Sequence, residues 1–177
     1  MLAVSSLRRK LTPVCEVGEA SRESAAVSVV WRLSDLSVLL VKRAEADEDP
    51  WAGQIALPGG LWEPCDASLA DTAAREALEE VQLDIRRSCW LLGWLEPESP
   101  RNKPELKVYP LVCLLEDEQA EPKPGTEVSE VFWAPMPELV SSWSSELGGC
   151  FKWRGKVVWG LTYRILLKFA RALELLS

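Results

Sequence analysis

Glu76, Glu79 and Glu80 stand three and four residues apart in the run Arg75-Glu76-Ala77-Leu78-Glu79-Glu80. On an α-helix residues so spaced are neighbours, which predicts three carboxylates on one side while Ala73, Ala77 and Val81 pack inward. Like charges at this spacing each weaken a helix by about 0.2–0.5 kcal/mol, so a helix that gathers three of them needs a compensating cation. Arg75 adjoins the cluster and is placed to pair bidentately with one member, orienting it and leaving the others free. Clustered hard oxygen ligands suit Mg²⁺ or Mn²⁺, which neutralise charge on phosphoryl oxygens and lower the pKa of a bound water. The chain contains no histidine. That absence removes His-based triads, His zinc sites and His acid–base catalysis, and it leaves carboxylates and metal to activate water.

The elements that must position these acids are legible from periodicity. Apolar residues at Leu69, Ala73, Ala77 and Val81 predict a helix over 68–83, with Ser68 as N-cap and Asp71 in the first turn. Before it, two β-branched and Leu-rich runs around Ser34-Asp35 predict a hairpin over 26–42, and a short strand follows at 54–58. Pro58-Gly59-Gly60 is expected to end that strand and open a loop whose glycines let backbone approach a ligand or metal. Further strands are predicted at 88–96, 107–115 and 128–134, then a hairpin in FKWRGKVVWG. A last helix over 160–175 shows an apolar face through Leu161, Ile165, Leu166, Phe169 and Leu173. Strands mixed with two substantial helices, without regular β-α alternation, predict an α+β fold with the sheet packed between helices.

Bulk properties narrow the function classes. The chain has 177 residues, 47% of them hydrophobic, which predicts one globular domain over 1–177 with its core at about 26–170. A net charge of −7 argues against binding a nucleic-acid polymer or an anionic membrane, and an anionic substrate would need a cation to screen it. The five cysteines are scattered and form no C-x-x-C pair, which points to reduced thiols and a cytoplasmic protein; Cys89 and Cys113 fall in apolar runs and read as core. No apolar run approaches the ~20 residues of a membrane span. The first fifteen residues carry Arg8, Arg9 and Lys10 and no acid, and are expected to form a short amphipathic helix.

The segment GGLWEPCDASLADTAAREALEEVQL resembles the signature of Nudix hydrolases, G-x5-E-x7-R-E-U-x-E-E-x-G-U, where U is a bulky apolar residue. Gly60, Arg75, Glu76, Glu79, Glu80 and Leu83 match. Asp66 replaces the early Glu, one extra residue separates it from Arg75, and Gln82 stands where the family has Gly. The resemblance implies a Nudix-like α/β/α sandwich with a mixed central sheet. It also implies a metal-activated water that attacks one phosphorus of a nucleoside diphosphate derivative. By similarity Glu76 and Glu80 are metal ligands, Glu79 is a third ligand or the base, and Gly60 adds its carbonyl oxygen. Glu127 is a second base candidate, and Arg43, Gly59 and Trp62 are expected at the substrate. The flanking segments DPWAGQIALPGG, EVSEVFWAPMPEL and FKWRGKVVWGLTYRIL look like those of the coenzyme A diphosphatase branch, although Asp49 sits where that branch has an arginine. Coenzyme A or an acyl derivative is therefore the first expected substrate, with ADP-ribose or a dinucleotide next. A non-catalytic nucleotide-binding module is the alternative of another class, and pairing as a homodimer is a further implication of the family. Of nine tryptophans, Trp51 and Trp62 flank the expected site, whereas Trp31, Trp90, Trp94 and Trp133 are expected in the core.

Overall fold

The computed structural model describes residues 2–17, 20–45, 52–117 and 119–175. Asp49 and Trp51 lie outside them. In chain order the elements are α1 (Leu2–Arg9), β1 (Ser24–Trp31), β2 (Ser37–Arg43), β3 (Ile55–Ala56), β4 (Gly59–Leu61), α2 (Leu69–Val81) and α3 (Ile85–Ser88). They continue with β5 (Cys89–Trp94), β6 (Lys107–Leu115), β7 (Val128–Pro135), β8 (Val140–Ser144), β9 (Gly148–Trp153), β10 (Lys156–Trp159) and α4 (Gly160–Ala172).

Seven strands form a mixed sheet in the order β3-β2-β1-β6-β5, with β4 also paired to β1 and β7 to β2. The β1–β6 pair is parallel, from Ser24 opposite Lys107 to Trp31 opposite Leu114, while the neighbouring pairs are antiparallel. Alternation along β1 sends Val29 and Trp31 to one face and Ala26 and Val30 to the other. The first face packs on Leu7 of α1 and on Ile165, Leu166 and Phe169 of α4. The second packs on Leu69, Ala73, Ala77 and Val81, the inward stripe of α2. Trp31 meets Phe169 edge to face, ring centroids 5.7 Å apart, so the two fill one layer as a geometrically favoured aromatic pair. Helices thus cover both faces of the sheet, as expected, and β8–β10 form a second, three-stranded antiparallel sheet.

Three local expectations need correction. Residues 54–58 do not form one strand that ends in a glycine loop; β3 pairs with β2, and after Pro58 the chain re-enters the sheet as β4, Gly59 opposite Val27 and Gly60 opposite Ala26. Glycine makes this possible, because a Cβ at Gly59 (φ 155°) would lie 2.5 Å from the Val27 Cα. The Ser-rich strand β8 and the helical turn α3 are additional elements. Trp90 is not core: β5 is the outer strand, and the indole is 58% exposed, whereas Trp31 and Trp94 are fully buried. Trp133 is half-buried beneath the Arg32 guanidinium, 4.8 Å from its ring centroid.

Candidate active site

Helix α2 begins where Ser68 Oγ accepts the Asp71 N–H at 3.2 Å. It ends at Gln82, which takes the left-handed conformation (φ 54°) that glycine adopts without cost. Between these caps its buried side clamps to β1, where the Ser28 hydroxyl donates to the Ala73 carbonyl at 3.2 Å. The adjoining side lies over β4. Glu76 and Glu80, one turn apart, face that strand: the Glu76 carboxylate sits against Gly60, in the space a Cβ there would fill, and Glu80 Oε2 accepts the Gly59 N–H at 2.9 Å. The helix therefore sets the acids, and the two glycines set how closely backbone approaches them.

Burial drives both carboxyls upward in pKa. For Glu80, with 5% of its side chain exposed, desolvation is the largest cause; the Gly59 N–H opposes it, the Glu76 charge adds to it, and the balance lifts the group to about 7. Glu76 is raised as well, chiefly by burial, against the Arg75 guanidinium 2.8 Å away. Arg43 Nη1 lies 3.5 Å from Glu80 Oε1, so this cation, expected at a substrate phosphate, also stands beside the acid pair. Glu79 is different: its side chain is 59% exposed and meets Arg75 at 3.3 Å. Among the described residues no group of three acids or cysteines is gathered as a ready-made metal cage. The trio predicted from helical spacing is thus divided into an inner pair, Glu76 and Glu80, and an outer Glu79; Arg75 holds Glu76 and Glu79, and the Gly59 N–H holds Glu80.

Arg75 has a larger role than spacing suggested. Its bidentate partner is Asp66, through Nε–Oδ1 and Nη2–Oδ2 contacts of 3.0 Å each, not a helix glutamate. The same guanidinium reaches Glu76, Glu79 and the Leu61 carbonyl, tying the end of β4 to the helix. Asp66 is buried. Burial alone would raise its carboxyl, but Arg75, the Glu63 N–H and the Thr72 hydroxyl together hold it below the usual carboxylate value. The shorter acid and the extra residue before Arg75, departures in sequence, still permit this closure. Trp62 braces the same loop, its indole N–H donating to the Asp66 carbonyl at 3.0 Å.

Glu127 is exposed, in the turn before β7, and its charge acts on both Glu76 and Glu80. Its carbonyl accepts the Ala44 N–H at 2.9 Å, which ties it to the end of β2. The donor set of buried and half-buried carboxylates around close glycine backbone fits a hard divalent cation such as Mg²⁺ or Mn²⁺.

Residues 22–153 match the NUDIX domain family. A Photorhabdus laumondii protein named as an uncharacterised Nudix hydrolase, NudL, is 33% identical over 77% of this chain and 77% of its own length. Nudix hydrolase 22, chloroplastic, of Arabidopsis thaliana is 34% identical over 77% of this chain, which spans 49% of that relative. Among solved structures, a MutT/nudix family protein from Enterococcus faecalis superimposes with a TM-score of 0.57 at 19% identity, covering 90% of this chain and 64% of that one.

Proposed function

The chain belongs to the NUDIX domain family, and from that premise we propose that it is a Mg²⁺- or Mn²⁺-dependent diphosphatase whose first substrate is coenzyme A or an acyl derivative. The observation that carries the reading is the inner acid pair: Glu76 and Glu80 lie one turn apart over Gly59 and Gly60, buried enough that burial raises both carboxyls. Arg75, Arg43 and the Gly59 N–H offset the two charges only in part, since both carboxyls remain raised, and a cation held between them would offset the rest. Glu76, Glu80 and the Gly60 carbonyl are its proposed ligands. When bound, the cation supplies positive charge against the diphosphate oxygens and makes a water acidic enough to act as nucleophile near neutral pH.

This chain's own residues do the rest. Arg75 holds Asp66 and Glu76 and so fixes the acid pair against the loop. Glu79 or Glu127 takes the proton of the attacking water; Glu79 is the nearer in sequence, and the charge of Glu127 acts on both inner acids. Arg43 and the Gly59 backbone receive phosphoryl oxygens, and Trp62 lines the approach. For coenzyme A the products are adenosine 3′,5′-bisphosphate and 4′-phosphopantetheine.

A cavity of about 540 Å³ supports a substrate with charge beyond the diphosphate, because Lys42, Arg154 and Lys156 all line it. Lys156 is paired with Glu130 and Arg154 with Glu138, while Lys42 makes no ion pair among the described residues. Gln54, another residue of its lining, accepts the Arg43 N–H through its carbonyl, so the cavity lies next to the strand that carries Arg43. ADP-ribose or a dinucleotide is the second reading, favoured by Asp49 in place of the branch's arginine. Five free cysteines support a reducing, cytoplasmic setting. The exposed, uncharged edge strand β8, with Val140 and Trp143 at the surface, supports self-pairing as a homodimer.

The test is a panel of coenzyme A, acetyl-coenzyme A, ADP-ribose and a diadenosine polyphosphate with Mg²⁺ or Mn²⁺, products resolved by chromatography. Release of the two named products supports the first reading. Intact coenzyme A after long incubation at high enzyme defeats it, and cleavage of ADP-ribose alone moves the assignment to the second. Nucleotide binding without any cleavage supports the non-catalytic module.

A further inference from the structure

The end of β2 sends two cations to opposite faces of the main sheet. Val38 and Leu40 face α4 while Leu39 and Val41 face α2, so by alternation Lys42 leaves the strand on the α4 side. Arg43 leaves it on the α2 side, 3.5 Å from Glu80. Adjacent Cα atoms are about 3.8 Å apart, so a ligand held at Arg43 meets Lys42 just around the end of the strand. Lys42 opens into the cleft where two edge strands pack together, β3 of the main sheet and β10 of the small one. From the small sheet come Arg154 and Lys156, both seated on aromatic rings. The Arg154 guanidinium lies 4.8 Å from the Trp153 ring centroid and 3.2 Å from Glu138; the Lys156 ammonium lies 4.6 Å from the Phe132 ring centroid and 2.6 Å from Glu130. Glu45 is the one acid of the lining among the described residues, its carboxylate set against Gly53, where a Cβ would lie 2.6 Å from Oε1. Arg154 is also held at a cost. It is the first residue of the two-residue turn between β9 and β10, at φ 46°, with Gly155 following at φ 78°. Asn, Asp or Gly fill that place readily. An arginine there works against backbone preference, and what it supplies is a guanidinium at the rim of the cleft.

We propose that this cleft is a subsite for a phosphomonoester that the substrate carries in addition to its diphosphate, and that Lys42 selects for it, with Arg154 and Lys156 completing the charge. Such a group bears about −1.5 to −2 charge near neutral pH and three acceptor oxygens, one for each cation. Lys42 carries the selection because it is half-buried and has no ion pair among the described residues, whereas the other two cations already share their charge with Glu138 and Glu130. The proposal rests on the diphosphatase reading and deepens it, since it concerns which diphosphates are preferred and not the cleavage itself.

The experiment measures by calorimetry the binding of adenosine 3′,5′-bisphosphate, AMP and inorganic phosphate to the full chain as wild type, Lys42→Met and Arg154→Asn, with thermal melts alongside. Mg²⁺ is present throughout, since none of the three ligands holds a diphosphate to be cleaved. Wild type binds the bisphosphate about tenfold more tightly than AMP, the scale of one charge-assisted hydrogen bond. Lys42→Met binds the two alike. Arg154→Asn, which suits the turn and melts no lower than wild type, narrows the preference about threefold, the scale of an exposed ion pair. A bisphosphate bound no more tightly than AMP, or not bound at all, overturns the proposal, and so does a preference that survives in Lys42→Met. Should Lys42→Met fail to fold, Arg154→Asn decides in its place, and an unchanged preference there overturns the proposal. Inorganic phosphate that binds alongside AMP, with no gain of the bisphosphate over AMP, assigns the cleft to a separate anion and overturns it as well. The two readings fail separately. Coenzyme A and 3′-dephospho-coenzyme A cleaved with equal kcat/KM remove the subsite and leave the diphosphatase standing, whereas a Lys42-dependent preference in a chain that cleaves neither removes the diphosphatase alone.

Discussion

Replacing Glu80 by Gln separates what this residue does for the fold from what it does for the chemistry. Its folded carboxyl is lifted from 4.5 to about 7, chiefly by burial. A raised acid binds its proton more tightly folded than unfolded, so its contribution is intact below pH 4.5 and is lost as the pH climbs to about 7. At about 1.36 kcal/mol per pH unit, that interval corresponds to a loss of roughly 3 kcal/mol in the wild type above neutrality. Gln keeps the shape and can still accept the Gly59 N–H, but it leaves Arg43 without the Glu80 charge; the net gain of Glu80→Gln at pH 8 is therefore about 2 kcal/mol. Urea unfolding in a chelating buffer, at pH 8 and at pH 4.5, measures it. The variant is more stable at pH 8, the two proteins converge at pH 4.5, and adding Mn²⁺ at pH 8 stabilises the wild type while leaving the variant unmoved and inactive. Equal stabilities at pH 8, or a gap of the same size at both pH values, refute the assignment of Glu80 as a buried acid held at a cost.

Gln82→Gly relieves a non-glycine residue at φ 54° and forfeits one hydrogen bond to Pro124, so a stabilisation of about 0.5–1 kcal/mol is expected in thermal melts; a drop in melting temperature contradicts it. Arg75→Lys keeps the charge but loses the two-point grip on Asp66, and unfolding at pH 7 should show a loss of about 2 kcal/mol. Because the Asp66 carboxyl is held low, its pairing stabilises above pH 3.8 and fades as the acid protonates, so the Arg75→Lys deficit must shrink in acid; a deficit independent of pH contradicts the pairing.

The parts of this molecule that repeat with a fixed period were readable from the chain. Leu69, Ala73, Ala77 and Val81 announce both the helix and its buried side, and once that side is known the positions of Glu76, Glu79 and Glu80 follow. Strand β6 and the final helix are found where apolar patterning puts them. Spacing failed where partners come from elsewhere in the chain. Nothing in Gly59-Gly60 distinguishes a loop from a strand that needs room, because the deciding contact is with Val27. The choice of Asp66 over a helix glutamate as Arg75's bidentate partner depends on how the loop returns. The seating of 123–125 on the end of α2, where the Lys123 and Gly125 N–H groups donate to the Val81 and Glu80 carbonyls, is invisible in composition, since these bonds run from an acidic, Pro-rich segment to carbonyls that any helix exposes at its end. Asp66 was legible as a departure from a pattern; the geometry that absorbs it was not.

The parallel pairing of β1 with β6 joins residues 24–31 to 107–114, and almost every group assigned to the chemistry lies in the stretch enclosed between them. A nascent or refolding chain can wind the acidic helix early, because its contacts are local, yet the floor on which that helix rests is complete only when the two distant strands have zipped together. Cation uptake should accordingly be a late event in refolding, trailing the recovery of helix signal and keeping step with closure of the pleated layer.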